Sequence, residues 1–173
     1  QVRFAKAFPR DECSPCAFAP IITRLVHNEN IKVHTLSEVI EVGGRVGEYS
    51  VTIQKNPRYV DEAKCTNCGD CTTVCPMDVE DPYEFNLARH RRIHLPYDEA
   101  HPHCRVVEPS TIEDCRANCH RYCEKICAVN AVDLDAQSHQ EVFTVGGVII
   151  ATGYKLYEPT EFNYKDTKNV ITL

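Results

Sequence analysis

Residues 65–76 read CTNCGDCTTVCP, four cysteines at the spacing C-x2-C-x2-C-x3-C-P that ligates a [4Fe-4S] cluster. A cuboidal cluster takes one thiolate per iron, and the short x2 steps wrap the backbone so that successive sulfurs face one centre. Cys65, Cys68 and Cys71 are therefore expected to converge, while Cys75 stands one helical step further on. In two-cluster proteins that last position serves the other cluster. A second run of cysteines is required.

Cys115, Cys119, Cys123 and Cys127 supply it, within DCRANCHRYCEKICAVNAVDL. The segment CEKICAVNAVDLD has the x3 step and trailing strand expected after a cluster loop, although the first two gaps are x3 rather than x2 and no proline follows Cys127. Steps of four also put four thiols on one face of an ideal helix, so buried or zinc-binding cysteines are the competing reading. NPRYVDEAK before the first run and CRVVEP before the second read as short strands, which makes the two runs an internal repeat on the pseudo-twofold ferredoxin plan.

Eleven cysteines in 173 residues mean either a disulfide framework or metal, and the spacing favours metal. Charged residues from the third position onward leave no signal-peptide pattern, which points to a reducing, cytoplasmic setting where clusters survive. No apolar run is long enough to span a bilayer; VGGVIIATG reads as a buried strand. A net charge of -6 gives no basic footprint for nucleic acid, and ARHRR reads as a solvated loop or helix face. Gln at position 1 suggests a piece of a longer polypeptide.

Along the chain, Cys13 and Cys16 form a C-x-x-C before AFAPIITRLVHN, which looks helical with Pro20 in its first turn. Metal ligation, a redox dithiol and inert packing all remain open for the pair. IKVHT, EVIEV and GEYSVTIQ carry strand residues, with glycines supplying turns. GGRVGEY fits a hairpin better than a phosphate loop, because a strand follows it. A polar insertion after the first run is expected to hold a helix over residues 82–92. His101, His103 and Cys104 in AHPHC could gather a metal, but the context favours a solvated loop. A strand over residues 142–150 ends in Ala151, Thr152 and Gly153, where small residues let backbone approach a ligand closely.

The order KAFPRDECSPC, IKVHTLSEVIEV, RYVDEAKCTNCGDCTTVCP, CEKIC and VGGVIIATGYKLYEP resembles the A subunit of heterodisulfide reductases, iron-sulfur flavoproteins of methanogens and related anaerobes. The resemblance implies an α+β architecture in which a two-cluster ferredoxin-like domain, residues 57–137, is inserted between two pieces, 1–56 and 138–173, of a thioredoxin-reductase-like FAD-binding domain. It implies that Cys65, Cys68, Cys71 and Cys127 hold one [4Fe-4S] cluster and Cys115, Cys119, Cys123 and Cys75 the other. Cys13 and Cys16 would contribute to a further cluster. Ala151, Thr152 and Gly153 match the flavin motif, Lys6 and Phe8 a segment near the flavin ring, and Val39 a strand whose backbone meets adenine. The implied function is flavin-based electron bifurcation between FAD and the clusters, serving the CoM-S-S-CoB heterodisulfide and ferredoxin. Implied partners are the other subunits of such a complex, with a hydrogenase, formate dehydrogenase or deazaflavin-dependent component. A quinone-interacting or sulfur-metabolism oxidoreductase subunit is the near alternative, and a zinc-binding interaction module the distant one.

Overall fold

The β-branched alternation around Gly43 to Gly47 builds a hairpin. In the computed structural model, which describes residues 14–81 and 86–153, strand β1 (Ser37–Arg45) pairs antiparallel with β2 (Glu48–Lys55). The register closes at Arg45 opposite Glu48, so the loop is only Val46 and Gly47. Gly47 has φ +86, and a Cβ on Gly44 would run into the Glu48 carbonyl; both glycines are needed for the turn. A bulge interrupts β1 between Val39 and Glu41.

The third strand of this sheet comes from far along the chain. β7 (His139–Val145) pairs antiparallel with β2, with Lys55 opposite His139 and Tyr49 opposite Val145. Residues 56–138 are therefore an excursion between two neighbouring strands. IKVHT is not a strand, and the tail strand stops at Val145 instead of reaching Ile150. Both differences have one cause: β2 offers partners only from Glu48 to Lys55, and beyond those limits the flanking chain has no ladder to join. Ile149 and Ile150 are 94% and 84% exposed, so VGGVIIATG is not a buried strand.

Helix α1 (Ser14–Val26) starts before the sequence suggests. Pro15 occupies its first turn, and Pro20 lies in the helix interior, where it donates no N–H to the preceding turn.

Within the excursion, short elements surround a small core of Tyr59, Val60, Ile93, Val107, Ile112, Ala131 and Leu134. They are α2 (Asp70–Thr73), β3 (Asp78–Glu80), β4 (Arg89–Arg91), β5 (Ile93–His94), β6 (Val106–Val107), α3 (Ile112–Asn118) and α4 (Tyr122–Ile126). β3 pairs with β4, and β5 with β6. The helix expected over 82–92 is not there: residues 89–91 form a strand, and 82–85 lie outside the described residues. Arg91 faces Asp78 at 3.1 Å and Arg89 faces Glu80 at 3.7 Å, so the alternating charges serve cross-strand pairs rather than helical ones. The strand expected in NPRYVDEAK, and the one trailing CEKIC, shrink to a single antiparallel bridge between Val60 and Val132. Asp61 N–H donates to the Ala131 carbonyl at 2.7 Å, and Asp133 N–H to the Tyr59 carbonyl at 3.0 Å. These bonds tie the entry and exit of the excursion together.

Candidate metal centre

The cysteines of the excursion sort into two hollows. Cys65, Cys68, Cys71 and Cys127 line one, beside Val60, Gly69, Arg105 and Ala131. Cys75, Cys115, Cys119 and Cys123 line the other, beside Arg92, Val107 and Leu134. The last thiol of each run has crossed to the opposite group.

Local backbone explains how each group forms. Asn67 (φ +56) and Gly69 (φ +93) turn the chain sharply between the first three cysteines, and α2 then carries Cys71 inward. In the second run, a continuous helix would have put every thiol on one side. Instead α3 ends at Asn118, Cys119 is extended, and Arg121 takes a left-handed conformation (φ +53) before α4. Arg121 forks onto Asp135 at 2.7 and 2.8 Å, which holds this break open. The x3 gaps are thus consumed by a kink between two short helices, and four thiols still meet one hollow.

The donor set fits a cluster better than a lone metal ion. A tetrahedral zinc with Zn–S of about 2.3 Å holds its sulfurs roughly 3.8 Å apart. Among the described residues, the one trio of His, Cys, Asp or Glu ligand atoms mutually within 4.8 Å is His90, His94 and Glu108. Neither thiol quartet is drawn in as tightly as zinc requires, whereas a cuboidal cluster spreads its ligands over separate irons. The nine cysteines whose side chains are described are all free thiols. Backbone N–H groups already point at sulfur, from Asn67 to Cys65 at 3.4 Å and from Ala131 to Cys127 at 3.2 Å. Buried donors at both hollows, the Nε atoms of Arg92 and Arg105, have no hydrogen-bond acceptor; the sulfides of a cluster are acceptors.

Burial pushes the Cys71 and Cys115 thiols upward and the Cys123 thiol up to about 12. The Arg105 charge pulls against this at Cys71, and an Arg92 hydrogen bond does so at Cys115. These raised values keep the three thiols protonated in their apolar hollows; a metal bound there would displace the protons.

Comparison with known proteins bears on the first cysteine run and on the chain as a whole. Residues 59–79 match the model of a 4Fe-4S binding domain. The A subunit of the H(2):CoB-CoM heterodisulfide,ferredoxin reductase of Methanothermobacter thermautotrophicus is 35% identical over 96% of this chain, which covers 25% of that protein. The second of two iron-sulfur A subunits of the CoB--CoM heterodisulfide reductase of Methanopyrus kandleri is 37% identical over 96% of the chain and 25% of its own length. Along nearly its whole length the chain is similar to a segment of heterodisulfide reductase A subunits. It spans about a quarter of the length of these curated relatives. A third relative, the A subunit of the Ferredoxin:CoB-CoM heterodisulfide reductase of Methanosarcina mazei, is 32% identical over 96% of the chain and 21% of its own length.

Of the remaining residues singled out by the resemblance to these A subunits, Val39, Ala151, Thr152 and Gly153 line neither hollow. Val39, on β1, is 62% exposed and shares an open groove with Ile53, Phe143, Val148 and Ile149. Ala151, Thr152 and Gly153 follow that groove's last residues and are exposed, with Gly153 at φ +76. Lys6, Phe8 and Cys13 lie outside the described residues, and Cys16 is placed by its backbone alone, in α1.

AHPHC is not a solvated loop throughout. Cys104 is 1% exposed, and His103 Nε2 lies 2.7 Å from Asn67 Nδ2 in the first cysteine loop. Two features carry no signal in the sequence. Arg92 and Arg105, one at each hollow, lie outside both cysteine runs and declare themselves only through folding. The His90–His94 pair has ring centroids 3.9 Å apart. The two rings are tilted by 40° to one another, and with Glu108 they form a trio whose ligand atoms lie within 4.8 Å of one another. Among the described residues, no helix is long and apolar enough to cross a membrane.

Proposed function

We propose that this chain is the cluster-bearing segment of an electron-transfer subunit of heterodisulfide reductase type, an oxidoreductase whose terminal substrate reduction occurs in partner subunits. Cys65, Cys68, Cys71 and Cys127 hold one [4Fe-4S] cluster, and Cys75, Cys115, Cys119 and Cys123 hold the other. The observation that carries this reading is the crossed sorting of eight thiols into two hollows, the arrangement that a two-cluster run predicts.

Residues 57–137 are the ferredoxin-like insertion, and 1–56 with 138–173 are two pieces of a FAD-binding domain, supported by the pairing of β2 with β7 across the excursion. Val39, Ala151, Thr152 and Gly153, with Lys6 and Phe8, belong to the flavin side; the groove beside Val39 is the support on this chain. Cys13 and Cys16 complete a third cluster with ligands from elsewhere. Bound there, [4Fe-4S] clusters carry electrons singly and FAD exchanges them in pairs. The protein's part is to hold the thiolates, exclude water with apolar walls and supply N–H donors to sulfur. In a cytoplasmic complex, its partners are the other reductase subunits, ferredoxin, and a hydrogenase, formate dehydrogenase or deazaflavin-dependent component. The overall process is electron bifurcation between CoM-S-S-CoB and ferredoxin.

Iron and acid-labile sulfide analysis of the full-length protein, purified without oxygen, tests the cluster assignment. Exchanging Cys68 and Cys123 for serine together should remove roughly equal amounts of iron and sulfide, from both hollows. Bound zinc without sulfide would overturn the assignment.

A further inference from the structure

Each hollow contains one arginine, and the two are held in different ways. Arg92 stands between β4 and β5 with its backbone fixed at both ends: its N–H donates to the Met77 carbonyl at 3.1 Å, and its carbonyl accepts from Glu108 N–H at 2.9 Å. Its side chain is 13% exposed. From there Nη1 reaches Cys115 Sγ at 4.0 Å, while Nη2 is paired with Asp114 at 2.9 Å. Arg105 precedes β6 and lies over the first cysteine loop, its Nη2 only 3.1 Å from where a Cβ on Gly69 would sit. Gly69 therefore provides the space that the guanidinium occupies. At both arginines the buried Nε lacks a hydrogen-bond acceptor, a costly arrangement unless a sulfur-bearing group fills the hollow.

We infer that Arg92 and Arg105 are fixed cationic groups, one per cluster, that raise the reduction potential of the cluster in their own hollow. The inference rests on the cluster assignment above. Reduction adds one electron to the cluster, and the guanidinium keeps its positive charge in both redox states. Its positive charge favours the reduced form, and at Arg92 the Nη1 contact with Cys115 Sγ adds to it. Both are positioning and tuning residues; no thiol needs them for ligation.

The test is an anaerobic redox titration of the full-length protein followed by electron paramagnetic resonance, with iron and sulfide counted in each sample. Arg92→Met and Arg105→Met are compared with Arg92→Gln and Arg105→Gln, in case a neutral apolar stem disturbs packing, and with the lysine variants. Each neutral exchange should lower one midpoint by at least tenfold in the reduction equilibrium, about 59 mV for a one-electron couple. The two arginines should move different midpoints, and lysine should restore most of the shift. Full cluster content with unmoved midpoints, or one and the same midpoint moving in both variants, overturns the inference and leaves the ligand assignment intact. Absence of clusters from the wild-type protein overturns the ligand assignment itself.

Discussion

Replacing Cys75 with serine separates a crossed pair of clusters from two uncrossed ones. By sequence Cys75 belongs with Cys65, Cys68 and Cys71; in space it lines the hollow of Cys115, Cys119 and Cys123. The exchange is mild for the fold, because Cys75 Sγ lies 3.5 Å from the Met77 carbonyl, an acceptor that a serine hydroxyl can also use. Four thiols at each of two hollows, with one iron per thiolate, correspond to about eight irons in this segment. The variant leaves three thiols in the second hollow and four in the first. It should lose between about one and four irons, depending on whether a three-iron remnant stays. Paramagnetic resonance of the full-length protein should show one signal altered and the other unchanged. Cys127→Ser should alter the signal that Cys75→Ser spares, and Cys68→Ser should behave like Cys127→Ser. If Cys75→Ser and Cys68→Ser alter the same signal, the crossing is wrong and the two hollows have been misassigned.

Three further outcomes are expected. Stripping the clusters with chelator and oxidant should unfold the excursion, because its core is too small to be stable without a staple; limited proteolysis should then cut within residues 56–138, and unchanged resistance would count against a structural role for metal. Leu134, fully buried against the second hollow, should lose about 2–5 kcal/mol of stability on change to alanine, read as faster hydrogen exchange at Ala131 and Asp133; no change there would refute its place in the core. The Arg121 fork holds the Asp135 carboxyl below its ordinary value of 3.8. This stabilises the fold above that value and fades as pH falls through the lowered one, so Asp135→Asn should be less stable than wild type at neutral pH and converge with it in strong acid; a gap independent of pH would contradict the pairing.

What could be read from the sequence was whatever is enforced locally. The spacing of residues 65–76 is a ligand constraint that needs no tertiary information, and Gly47 announces a turn wherever it is placed. The helix over 82–92 failed because charges alternating along a strand and charges spaced along a helix look alike until a partner is known; Asp78 and Glu80 are that partner. The strand limits at Ser37 and Val145 were illegible for the same reason, since they are set by the length of β2 and not by their own residues. Arg92 and Arg105 could not be told from surface arginines, because what distinguishes them is a sulfur or a glycine brought near by the fold.

Lys55 and His139 are Cα partners on adjacent strands, so everything between them hangs from a neck one ladder step wide. Such a neck makes the cysteine-bearing unit portable. Joining the two strands by a short turn would leave an ordinary hairpin behind, and the severed cassette would keep both quartets of thiols; any host sheet with a two-strand edge could accept it without changing its own register.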